Sequence, residues 1–227
     1  MHMLNAPAAQ EQRRELLKRR IRLIVALTIT YNVIEAVIAL SAGTVASSVA
    51  LVGFGLDSIV EVLSAAAVAW QFSVPDPERR EKKALRLIAF SFFGLAAYVV
   101  ASAILTLTGL RDPEHSTVGI VLAAVSLVVM PFLSLAERRT GRELGSTSAI
   151  ADSKQTLICS YLSAAVLAGL LLNSLLGWTW ADPAAGLVIA LFALREGIEA
   201  WKGEACTQPL SVIAGENKST SPGTGCC

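Results

Sequence analysis

The stretch GFGLDSIVEVL, residues 53–63, sits inside a long apolar run and carries two carboxylates, Asp57 and Glu61, four residues apart. Similar runs recur along the chain. Between Leu23 and Gly43 the ionisable groups are Tyr31 and Glu35; between Ala84 and Leu110 the single charge is Arg86; between Leu157 and Ala181 no side chain is charged. Apolar runs of about 18 or more residues read as membrane-spanning helices. Six are expected, at 21–42, 48–72, 84–109, 117–137, 149–174 and 181–201, each long enough for a bilayer core at about 1.5 Å of rise per residue. Strands of a barrel would be near 10 residues and would alternate. The fold class is therefore all-α, an integral membrane bundle of six transmembrane helices.

Composition agrees. Of 227 residues, 54% are hydrophobic and 16% charged, where soluble domains carry about a quarter charged; mean hydropathy is +0.58. Net charge is +1, which argues against nucleic acid as a partner. Eighteen of the nineteen basic residues cluster about the start of the first span, the junction of spans two and three, the junction of spans four and five, or the end of the sixth, and only Arg111 falls on the other side. The positive-inside rule makes the richer side cytoplasmic and places both termini there. Trp178 and Trp180, beside Asp182 and Pro183, suit the opposite interface. The lipid bilayer is thus a partner, and a plasma membrane or bacterial inner membrane is the expected location.

Three segments follow: a polar cytoplasmic lead-in at 1–20, the six-helix domain at 21–203, and a Gly/Ser/Thr-rich tail at 204–227 that is expected to be disordered. Asn32 and Glu35 make the first run a retained span rather than a signal peptide. None of Cys159, Cys206, Cys226 and Cys227 lies in an expected external loop, so no disulfide framework is indicated. Pro131 should kink the fourth helix.

With the second helix starting near Ser48, Asp57 lies about 14 Å and Glu61 about 20 Å into the membrane. Ionised carboxylates at that depth cost several kcal/mol unless paired or solvated, and at i, i+4 they share a face and repel. A divalent cation that comes and goes, with protons replacing it, makes such a pair useful. The competing reading is interhelical hydrogen bonding by protonated acids. The fifth helix offers ADSKQTLIC, residues 151–159, with Gln155 and Cys159 at i, i+4 and Asp152 one turn earlier. Against ligation, a buried Cys is often a small hydrophobe, and Gln155 and Asp152 lie near the interface. Asn32 and Glu35 on the first helix are candidates for a proton relay, for a supporting shell around the site, or for hydrogen-bonded structure.

The segments SSVALVGFGLDSIVE and AIADSKQTLIC resemble the second and fifth helices of the cation diffusion facilitator family of metal exporters. The resemblance spans roughly residues 20–203. It implies a transport site joining Asp57 and Glu61 to the positions of Gln155 and Cys159, where the family has His and Asp. It also implies export of a divalent cation from the cytoplasm by proton antiport, and a homodimer. Two carboxylates, a thiolate and an amide suit a four-coordinate ion. Zinc is the first choice, with iron(II), manganese, cobalt and cadmium also open, as transported substrate and not as a prosthetic group. No segment resembles the family's cytoplasmic metal-sensing domain, so a dimer is expected to be built by the helices. The alternative is a non-transporting membrane scaffold or accessory subunit with structural acids. An enzyme is not expected: His2 and His115 lie outside the bundle and no nucleophile–base motif appears.

Overall fold

The structure, a computed structural model, describes residues 6–71, 78–110, 112–144 and 147–202. The described residues form six helices: α1 (Ala6–Val45), α2 (Val49–Gln71), α3 (Glu78–Leu107), α4 (Thr117–Leu144), α5 (Thr147–Leu176) and α6 (Ala181–Lys202). Each expected span coincides with one helix. α1 begins well before the apolar run and carries the polar lead-in as part of the same 40-residue helix. α4 continues through Pro131. The tail at 204–227, with Cys206, Cys226 and Cys227, lies outside the described residues.

Five of the six helices, α1 to α5, are long and apolar enough to cross a membrane. α6 does not reach that threshold, because Arg195, Glu196, Glu199 and Lys202 crowd its second half. The expectation of six spans is thus met in helix number, and by apolar length in five.

Exposure in the bundle runs opposite to that of a soluble protein. Glu137 and Asp182 are 0% exposed and Ser126 and Ser163 equally so, while Phe132 is 69% and Leu191 67% exposed. Polar side chains turn inward and large apolar ones outward, as a lipid-facing surface requires. α2 is central, touching α1, α3, α5 and α6. Its first turns supply Leu51 and Phe54 to a core shared with Ile158, Leu162, Val166 and Leu170 of α5 and Ile189 of α6. A second core joins Val60 to Phe92, Leu95 and Val99 of α3 and Ala190 and Ala193 of α6.

The turn between α1 and α2 is tight. The Ser48 N–H donates to the Gly43 carbonyl at 3.0 Å, and Ser47 adopts a left-handed φ of 51°. A Cβ on Gly43 would lie 2.8 Å from the Val52 nitrogen, so glycine is required there. Two turns along α2, a Cβ on Gly55 would lie 3.0 Å from Ala39 Cβ and from the Leu40 nitrogen. This close approach lets short polar side chains of α1 reach α2.

Asp182, close to Trp178 and Trp180 in sequence, is a buried cap for another helix. Its Oδ2 accepts from the Val49 and Ala50 N–H groups at 2.7 and 3.4 Å, and its Oδ1 accepts from the Ser48 hydroxyl at 2.5 Å. The first N–H groups of a helix lack intrahelical acceptors, and here α6 supplies one to α2. The neighbouring Trp178 and Trp180 are exposed and stacked, with ring centroids 5.4 Å apart.

Candidate metal-transport site

Asp57 follows the apolar start of α2 by two turns and is 4% exposed. Cys159, one turn before the Leu162–Val166–Leu170 stripe of α5, meets it. The thiol donates to Asp57 Oδ2 with a sulfur–oxygen distance of 3.8 Å and also lies in hydrogen-bonding reach of Glu61. Glu61, one turn further along α2, accepts from Asn32 Nδ2 of α1 at 2.7 Å. Four of the expected residues, Asn32, Asp57, Glu61 and Cys159, therefore form one buried chain linking α1, α2 and α5.

Glu35 lies one turn from Asn32 and makes a separate arrangement. It accepts from the Ser58 hydroxyl at 2.9 Å and from Ser126 of α4, whose oxygen is 2.6 Å from the Tyr31 hydroxyl. It still exerts an electrostatic effect on both Asp57 and Cys159. Gln155 is half-buried one turn before Cys159. Asp152 is on α5, but its side chain lies outside the described ones. Among the described residues, no three of His, Cys, Asp and Glu are drawn together as a ready-made metal cage. Asp57 and Cys159 bond to each other, and Glu61 is held by Asn32.

The surroundings of this chain are asymmetric. Toward the start of α2 it is roofed by Leu51, Phe54, Leu162, Val166 and Ile189. Toward the other end the neighbours turn polar. Glu137 of α4 accepts from Thr28 of α1 at 2.9 Å and from Thr156 of α5 at 3.1 Å. Glu196 of α6 acts electrostatically on Asp57, and its Oε1 is buried without a hydrogen-bond partner. The sequence reading missed Glu137 and Glu196 because both lie near helix ends, where a charge ordinarily meets water. A better signal was available for Glu137: Ser134 and Ser126 precede it on the same helix by about one and about three turns, which puts all three on one face.

Helices with inward acids and outward Leu, Val and Phe, around a carboxylate–thiol chain at mid-helix, define a multi-pass membrane protein with a polar interior site. The family model for the cation efflux transmembrane domain matches residues 86–202, just over half of the chain. The chain therefore belongs to the cation efflux family, a family of metal cation transporters rather than enzymes. The match includes Gln155 and Cys159 and begins after Asp57 and Glu61. No curated protein matches the chain.

Proposed function

We propose that the chain exports a divalent cation, zinc in the first instance, from the cytoplasm in exchange for protons, and that Asp57, Glu61 and Cys159 bind it. One observation carries this reading. Among the described residues, Asp57 has a single hydrogen bond, from a thiol, which is a weak donor. Three buried acids outside the proposed site are better supplied: two hydroxyls reach Glu35, two reach Glu137, and a hydroxyl with two backbone N–H groups reach Asp182. A buried carboxylate so poorly supplied is expensive as structure but suited to a cation, which satisfies it fully. On binding, the cation displaces the thiol proton and takes both Sγ and the carboxylate oxygens. When protons return, the S–H···O bond forms again. The apolar roof on one side and the polar residues on the other favour loading from the end of the bundle where α2 finishes.

The scaffold alternative draws on Glu35, Glu137 and Asp182, which have the satisfied hydrogen bonding of structural acids; it does not account for Asp57. The deciding experiment is metal flux into proteoliposomes with an imposed pH gradient, across zinc, cadmium, cobalt, manganese and iron(II). The expected result is gradient-dependent flux that Asp57→Ala abolishes while the protein stays folded. Flux from Asp57→Ala equal to that of the unmodified chain refutes the site.

A further inference from the structure

Asn32 holds Glu61 through Nδ2 and is only 3% exposed. Its other polar atom, Oδ1, is buried and has no hydrogen-bond partner. Turning the amide over does not relieve this: it would set Oδ1 against the Glu61 carboxylate, two acceptors face to face. The side chain therefore carries an orphaned carbonyl oxygen; among the described residues the other buried orphans are single oxygens of Ser64, Thr106 and Glu196. Buried acceptors without partners are rare in folded proteins and call for a specific explanation.

We propose that Asn32 Oδ1 is a direct ligand for the transported cation, so that α1 contributes a neutral oxygen beside the carboxylates of α2 and the thiol of α5. This rests on the transport site proposed above and extends it. Amide carbonyls are established cation ligands, and one amide can hold Glu61 with its nitrogen while offering its oxygen to an ion bound by that same carboxylate. The resulting set is Asp57, Glu61, Asn32 and Cys159, three oxygens and one sulfur, which favours a cation of intermediate softness that tolerates four ligands. α1, bound tightly to α2 across Gly55, thereby becomes part of the site and not only its support.

The test is titration of the purified full chain in detergent with zinc and with cadmium, in a background where Cys206, Cys226 and Cys227 are serine. Asn32→Leu and Asn32→Asp are compared with the parent. Leu removes both amide atoms, whereas Asp keeps the oxygen and loses the N–H donor. The expected result is a loss of tenfold or more in affinity for Asn32→Leu and parental or tighter binding for Asn32→Asp, with the cadmium–thiolate absorption band retained in the latter. Parental affinity in Asn32→Leu overturns the proposal. So does an equal loss in both variants, which would mean that Asn32 acts only by holding Glu61. If Asn32→Leu does not fold, Asn32→Ala takes its place under the same thresholds. Asp57→Asn and Cys159→Ser, titrated in parallel, separate the two levels: if they bind like the parent the transport site itself is wrong, and if they lose binding while Asn32→Leu does not, only the role of Asn32 is.

Discussion

At the scale of single residues, the buried acids fall into two kinds according to their donors. Removing Glu35 as Glu35→Ala takes the acceptor from Ser58 and Ser126. Ser58 can fall back on the Phe54 carbonyl at 3.2 Å and Ser126 keeps Tyr31, so the expected cost is modest, about 1–2 kcal/mol. Asp57→Asn should behave in the opposite way. It removes an undersupplied buried charge, so the metal-free protein should melt at the same temperature or higher, while the stabilisation that added zinc confers on the parent disappears. Thermal unfolding in detergent with and without zinc checks both variants, and a large drop in the metal-free melting temperature of Asp57→Asn would show that Asp57 is structural. These residues were legible from sequence because a charge or amide inside an apolar run must be paired or solvated at that depth, whether for structure or for a ligand. The partners that sort the acids were not legible. Ser58, Ser126, Thr28 and Thr156 are residues any transmembrane helix tolerates, and only the packing shows which face an acid and which bond back to their own helix.

At the scale of elements, the helices were legible from their apolar runs, α6 least clearly because of its charged second half, but the links between helices were not. Asp182 illustrates this. Beside two tryptophans and a proline it reads as a loop residue, yet it closes the start of α2 from the first turn of α6. Losing an N-cap acceptor costs roughly 0.5–2 kcal/mol, and this one is fully buried with three donors converging on it. Asp182→Ala should therefore fall at the upper end, about 2 kcal/mol, and should loosen the α2–α6 contact without touching the proposed ligands. Cation affinity should fall less than stability does. Denaturation midpoints measured beside zinc titration read the two effects separately, and an unchanged midpoint would remove the cap from the list of what holds α2. Gly55 was legible as a small residue that lets helices approach, but the identity of its neighbour was not: it is the Ala39–Leu40 turn of α1, one turn from Glu35.

At the scale of the whole molecule, the family match runs from within α3 to the end of α6, whereas the proposed carboxylate ligands sit on α2. The bundle unites the two halves, since Asp57 and Cys159 meet across that boundary. The position of α6 bears on how the chain threads the membrane. By apolar length alone α6 falls short, and a five-span protein would leave its ends on opposite sides. Its packing argues otherwise. Asp182 at its first turn bonds to Val49 in the first turn of α2, and further along both helices a Cβ at Gly53 would lie 3.5 Å from Ile189 Cδ1. The two helices thus start level and run side by side in the same direction. If α2 crosses the bilayer, α6 beside it crosses as well. Its charges can be accommodated, because Arg195 and Glu199 pair at 3.1 Å one turn apart, and Lys202 at the end can extend its head toward the interface. With six crossings and the basic residues gathered on one side, the positive-inside rule predicts both ends in the cytoplasm. Reporter fusions before residue 6 and after residue 202, using one reporter active only in the cytoplasm and one active only outside it, should give the cytoplasmic signal at both sites. An external signal at the second site alone would mean that α6 does not cross and would separate it from α2.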